Sequence, residues 1–171
     1  MTFSTRSIAV AALLALGACT NADRFGDGGS AGGVGADGTG AVAASVNDPS
    51  SPAYFNQTIG DRVLFTVDQS TLSTDGQLIL DQQAVWLTQN AAYSALIEGH
   101  ADEQGTSDYN LALGERRAEA VRSYLVSRGV APSRLRTISY GKERPLEICS
   151  EESCYQQNRR AVTVLAAGAG L

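Results

Sequence analysis

The hydrophobic and polar positions of this 171-residue chain fall into three regimes. An apolar run from Ile8 to Leu16 is followed by a long stretch with almost no large apolar residue, and only from about Tyr54 onward do apolar positions recur with the periods of strands and helices. Arg62-Val63-Leu64-Phe65-Thr66-Val67 is β-branched and aromatic and predicts a strand. Thr74 followed by Gln77 is a capping-box signature. It opens a helix running to Asn90, with Leu78 and Val85, and Ile79 and Trp86, at the i, i+7 spacing of a helix face. Tyr93 to Glu98 predicts a second strand, with Gly99 to Gly105 as its exit loop. Ser107 or Asp108 can cap a second helix in which Leu111, Ala118, Val121 and Leu125 share a face and Gly129 is the C′ residue. Arg134 to Tyr140 and Ala161 to Leu165 predict two further strands. The order β-α-β-α-β-β implies an α/β (α+β) sandwich, with the helices packed on a small mixed four-stranded sheet.

Composition narrows the class of partner. Eighteen acidic against thirteen basic side chains give a net charge of −5, whereas a nucleic-acid footprint needs a basic patch or stripe. Nucleic acid is therefore not an expected partner. The apolar run after Arg6 is far shorter than the roughly 20 residues a membrane-spanning helix needs, and residues 1–18 read as a signal peptide. Leu16-Gly17-Ala18-Cys19 resembles the lipobox of bacterial lipoproteins, in which the cysteine becomes the acylated first residue. Ordinary secretory cleavage with Cys19 left free is the alternative. Thr20, rather than Asp, follows the cysteine, which by resemblance to enterobacterial sorting points to the outer membrane. Residues 19–53 are then a lipidated cysteine and a Gly-rich tether with the statistics of a flexible coil, and residues 54–171 are the folded domain.

The three cysteines support this division. With Cys19 lipidated, Cys149 and Cys154 remain as a pair in a compartment oxidising enough to join them. So short a loop gains only about 2 kcal/mol from chain entropy, so the expected role of the disulfide is to shape its loop. Zinc is the competing reading, but two cysteines and the single histidine make a poor structural site. No metal or other cofactor is expected.

The chemistry concentrates between Glu98 and Val121. Asp102, Glu103, Asp108, Asn110, Arg116 and Arg117 fall at a strand exit and helix start, where loop groups and free helix N–H donors converge. A carboxylate beside an arginine can recognise a zwitterion, the one accepting from an ammonium and the other donating a forked pair to a carboxylate. A plain structural salt bridge is the alternative. Catalysis has weaker support. Glu98, His100 and Asp102 share a strand face, but one histidine leaves no second imidazole for a metal or relay. Asp102 and Glu103, adjacent on an extended segment, point apart and do not make a hydrolase pair.

Ile97 to Thr106, running into Tyr109-Asn110-Leu111-Ala112-Leu113-Gly114-Glu115-Arg116-Arg117-Ala118, resembles the signature of OmpA-like peptidoglycan-binding domains. Ser139 to Pro145 and Asn158-Arg159-Arg160-Ala161-Val162 extend the match. The resemblance implies an OmpA C-terminal-like fold and, as ligand, the meso-diaminopimelate of the peptidoglycan stem. It assigns Asp102 to the ammonium and Arg117 to the carboxylate, with Asn110, Leu113, Gly105 and Phe65 lining the pocket and Asn158 and Arg159 buttressing it. Arg159 and Arg160 have an equal alternative, salt bridging to Glu143, Glu147 or Glu151. One departure is Thr66, where the family's first strand carries an acid. With the lipobox and tether, the chain is similar to the lipoproteins of this family that work in the Tol-Pal system. That implies attachment to the periplasmic face of the outer membrane, TolB and TolA as protein partners, and no enzymatic activity. A lipoprotein using the same fold only for protein interaction, or a cell-wall hydrolase, are the alternatives.

Overall fold

The computed structural model describes residues 46–168, so the expected signal peptide, Cys19 and most of the expected tether lie outside the described residues. A four-stranded sheet has the order β1-β4-β2-β3, with β1 Arg62–Leu64, β2 Tyr93–His100, β3 Leu135–Gly141 and β4 Arg160–Ala167. β2 and β3 run parallel, while β4 is antiparallel to both β1 and β2. The sheet is thus mixed, as expected. α1 (Pro52–Tyr54) continues into a π-helical segment, Phe55–Gly60. α2 (Thr74–Gln89) and α3 (Ser107–Ser127) follow β1 and β2, and α4 (Glu152–Asn158) precedes β4. Neither α4 nor the helical segment before β1 was expected from periodicity, because each is too short to display a stripe. Among the described residues no helix is long and apolar enough to cross a membrane.

One sheet face buries Ala95, Ile97 and Ala161 with Leu80, Leu87, Ala118, Val121 and Leu125 of the helices. Leu64, Ile138 and Val164 alternate to the other face, where each is about 40% exposed. Trp86 sits between Phe55 and Tyr93, its ring centroid 5.0 and 5.2 Å from theirs, and its indole N–H donates to the Pro49 carbonyl at 2.7 Å.

Several local expectations shift. The first strand stops at Leu64 instead of Val67: a last bond toward β4, Phe65 N–H to the Arg159 carbonyl (2.8 Å), follows it, and Asp68 then turns the chain in the left-handed region, φ 57°. Ser73, not Thr74, caps α2, accepting from Gly76 N–H at 3.1 Å. Thr106, not Ser107 or Asp108, caps α3. Leu78 and Val85 do share a stripe, but it faces solvent; the sheet takes the face carrying Leu80, Gln83, Ala84 and Leu87. Leu111 is likewise exposed, while Ala118, Val121 and Leu125 are buried. Gly129 ends α3 at φ 97° with Val130 N–H returning to the Leu125 carbonyl, as a C′ glycine should. The Cys149–Cys154 disulfide is formed, with the two Cα atoms 5.8 Å apart.

His100, at the end of β2, is 2% exposed, and among the described residues neither ring nitrogen has a hydrogen-bond partner. Glu98 Oε2 lies 3.7 Å from its Nε2. Burial, reinforced by the cations of Arg160 and Arg144, pushes its pKa from 6.5 down to about 4. The unfolded chain therefore binds this proton near pH 6.5 and the folded one only near pH 4. Stability should fall as pH drops through that window, by up to about 3 kcal/mol. Urea titrations at several pH values should show this slope in the wild type and lose it in His100→Gln; equal slopes would contradict the assignment.

Candidate functional site

The loop after β2 carries Asp102, and α3 carries Asn110, Leu113 and Arg117 on the stripe that faces the sheet. α3 can lie this close because Gly99 and Gly114 meet backbone to backbone. Asn110, 1% exposed, shapes the Asp102 loop: its Nδ2 donates to the Gln104 carbonyl at 2.7 Å and to the Asp102 carbonyl at 3.3 Å. Gly105, at φ 91°, lets that loop turn back toward α3, and its carbonyl accepts from Lys142 Nζ at 2.8 Å.

Arg117 has no exposed surface, and its guanidinium is the hub of the cluster. Nε donates to the Gln69 carbonyl (2.8 Å), Nη1 to His100 (2.8 Å) and Nη2 to Thr66 (3.1 Å), tying the β1–α2 loop to the end of β2. Its Cζ lies 5.2 Å from the Phe65 ring centroid. Desolvation lowers its pKa to about 10, and the nearby Asp102 charge works against that fall; the group stays a cation at neutral pH. Of the five N–H donors of a guanidinium, three are engaged by acceptors among the described residues.

Asp102, 8% exposed, has Arg159 as its ion-pair partner, Nη1 to Oδ2 at 3.1 Å, and its Oδ1 accepts from Gln104 N–H at 3.3 Å. The expected convergence of Asp102 and Arg117 is thus an electrostatic neighbourhood without a direct salt bridge, with Arg159 as the second cation. Arg159 also pairs with Glu152, not with Glu143, Glu147 or Glu151, and its Nε donates to the Phe65 carbonyl at 3.3 Å. Burial opposes its charge, but the hydrogen bonds to Glu152 and Asp102 carry its pKa above the ordinary arginine value. Asn158 accepts from Leu146 and Glu147 N–H and returns a bond to the Glu147 carbonyl, so it braces the segment before α4. Arg160 turns to the carbonyls of Asn158 and Arg144.

Not every acid of the motif joins this cluster. Glu103 accepts from Ser150 and Tyr155, both at 3.0 Å, on the disulfide side. Arg116 lies 6.0 Å from the Tyr109 ring. Glu152 and the carbonyls of Thr66 and Gln69 escaped sequence reasoning. They stand in a loop and a short helix without periodicity, and backbone oxygens carry no residue signature. Thr66, in the place of an acid, contributes its carbonyl and so needs no carboxylate to hold Arg117. A groove of about 710 Å³ opens beside the cluster, lined by Phe65, Thr66, Gln69, Leu72, Glu152 and Arg159 among others. Asp102 and Arg117 do not line it. Among the described residues no three His, Cys, Asp or Glu side chains are grouped to hold a metal ion.

The family model described as OmpA matches residues 64–159, the segment that carries Asp102, Asn110, Arg117, Glu152 and Arg159 but not β4. The chain belongs to the OmpA family. Within it, the chain is 50% identical over 163 residues to the peptidoglycan-associated lipoprotein of Mesorhizobium japonicum, covering 95% of this chain and 92% of that one. It is 56% identical over 133 residues to that of Rhizobium meliloti, covering 78% and 73%. Among solved structures, the peptidoglycan-associated lipoprotein of Burkholderia pseudomallei matches with a TM-score of 0.63 at 40% identity, over 71% of this chain and 98% of that one. The C-terminal domain of Helicobacter pylori MotB matches with a TM-score of 0.59 at 21% identity, over 64% and 86%, which speaks to the fold alone. The α/β architecture expected from the strand and helix order is therefore that of an OmpA-family domain.

Proposed function

We propose that this protein is a lipid-anchored clip that binds peptidoglycan non-covalently and so joins the outer membrane to the cell wall. The observation that carries the reading is the buried cluster of Asp102, Arg117, Asn110 and Arg159, built from the motif segments of an OmpA-family chain whose relatives are named peptidoglycan-associated. The ligand that fits this chemistry is the zwitterionic end of meso-diaminopimelate. Asp102 accepts from its ammonium, and Arg117 goes to its carboxylate, the Thr66 and Gln69 carbonyls that cover the guanidinium giving way to it. Asn110 and Gly105 hold the Asp102 loop, Leu113 and Phe65 supply apolar walls, and Asn158 and Arg159 brace the face. It is a binding protein and not an enzyme, as its family is.

Anchoring through an acylated Cys19 on the periplasmic face is supported by the Leu16-Gly17-Ala18-Cys19 string and by the lipoprotein relatives. The mass of the mature N-terminal peptide tests it, since an unacylated cysteine would reject the anchor. The tether that starts at residue 19 then gives the domain reach, up to Pro49, whose carbonyl is held by Trp86. Within the Tol-Pal system, the wall and TolB would use one surface in turn, with TolA as a further contact.

Co-sedimentation with purified sacculi tests the central reading. Asp102→Ala should weaken binding about tenfold to a hundredfold, one charge-assisted bond being worth roughly 1.5–3 kcal/mol. The fold should survive, because Arg159 keeps Glu152 as its partner. Added TolB should release the wild type from sacculi. Wild-type retention by the Asp102 variant defeats the site assignment, and a ternary complex with TolB defeats alternating use of the surface.

A further inference from the structure

We propose that Glu152 is a positioning residue of the ligand site, and that the Cys149–Cys154 disulfide holds it there. The inference rests on reading Asp102 as the acceptor of the ligand's ammonium. Without a third charge, Asp102 and Arg159 would form a self-neutralised pair with little attraction left for a cation. Arg159 is 3% exposed at its side chain and cannot swing into solvent to vacate the site. Glu152 changes this balance in two ways. It adds a negative charge to the pair, so the triad carries a net −1. It also takes the Nη2 side of the guanidinium, with Nη1 3.5 Å from its Oε2, and leaves Asp102 a single bond from Nη1. Arginine and carboxylate otherwise favour two parallel bonds. The Asp102 carboxylate thereby keeps acceptor capacity that a bidentate Arg159 would consume.

Glu152 has little packing of its own, since its side chain is 55% exposed. What fixes it is the loop around it. Cys154, two residues on in α4, is bonded back to Cys149. Asn158, at the end of α4, clamps the backbone of Leu146 and Glu147. From the other side Glu103, the neighbour of Asp102, accepts from Ser150 and Tyr155. The disulfide loop and the Asp102 loop are thus joined twice, once through Glu103 and once through Glu152 and Arg159. A disulfide worth little to global stability has a local use here, which is to keep the α4 carboxylate on Arg159.

Calorimetric titration of the full-length protein with a diaminopimelate-containing muropeptide tests this. Glu152→Gln should bind about threefold to tenfold more weakly, the range for one partly screened charge near the site. Glu152→Asp should recover most of the loss. Acetylating the muropeptide's diaminopimelate amine should erase the difference between wild type and Glu152→Gln, which a merely structural role would not do. Cys149→Ser with Cys154→Ser should weaken binding in the same direction, and adding Glu152→Gln to that pair should cost less than about twofold more, because all three changes break one chain of contacts. Wild-type affinity in Glu152→Gln, or fully additive losses in the triple variant, would overturn the inference. Asp102→Ala separates the two levels: if it loses binding while Glu152→Gln does not, only this inference falls, and if both bind normally the zwitterion reading falls with it.

Discussion

A Gly99→Ala variant is expected to be at least about 3 kcal/mol less stable than the wild type, at the upper end of what overpacking costs. A Cβ on Gly99 would lie 1.8 Å from the Gly114 carbonyl oxygen, 2.6 Å from its carbon and 3.2 Å from Ala118 Cβ. The two closest atoms are backbone of α3, so no rotamer change relieves the contact. The whole helix must lift from β2. The reverse substitution meets the same wall, since a Cβ on Gly114 would sit 2.4 Å from Ser139 Oγ and 2.8 Å from the Gly99 carbonyl. Because α3 also carries Asn110, Leu113 and Arg117, peptidoglycan binding should fall together with stability. Urea denaturation of Gly99→Ala is the check, and a loss below about 1 kcal/mol would mean that the helix sits farther from the sheet than described.

The second large effect is at Arg117. Replacing it with alanine removes a fully buried side chain and leaves the carbonyls of Thr66, Gln69 and His100 without that donor. The buried His100 acceptor left unpaired costs about 1–3 kcal/mol, the half-buried Thr66 and Gln69 acceptors less because water can replace the donor, and the emptied volume adds to this, so a loss of about 3–5 kcal/mol is expected. The β1–α2 loop should loosen most, since it holds Asp68 at φ 57° and two of the three carbonyls. Arg117→Lys keeps the charge but not the planar fork, and a single ammonium cannot reproduce three divergent bonds to fixed carbonyls. The lysine variant should therefore recover only part of the stability. The contrast with Asp102→Ala is diagnostic: the aspartate change should lower binding far more than stability, the arginine change both. Thermal melts beside sacculus binding separate them, and an Arg117→Ala protein melting like the wild type would show that the guanidinium does not hold these loops.

The elements that were legible in the chain are those whose signal is local. β2 and α3 follow from an apolar run, a polar cap and a glycine at C′, and the helix caps moved by one or two residues, to Ser73 for α2 and Thr106 for α3. α4 and the helical stretch Pro52–Gly60 are shorter than a usable period. The choice of buried face on α2 was not local either. Leu78 with Val85 and Leu80 with Leu87 are equally regular stripes, and the sheet settles between them by taking the second. At the site, the motif pointed to Asp102, Asn110 and Arg117 together, yet it could not say that Asp102 pairs with Arg159, a residue 57 positions away in the chain.

Residue order and chemistry along the chain were enough to establish an α/β domain of the OmpA family, a Cys149–Cys154 bridge and the grouping of Asp102, Asn110 and Arg117 at one end of the sheet. Packing alone decided that Arg117 spends its donors on loop carbonyls, that Glu152 and Asp102 share Arg159, and that two glycines let α3 touch the sheet. The reason is one of range. Caps, periods and short motifs act over a few residues, whereas a buried charge takes its partners from whatever the fold brings within about 3 Å of it, where desolvation makes each such contact count.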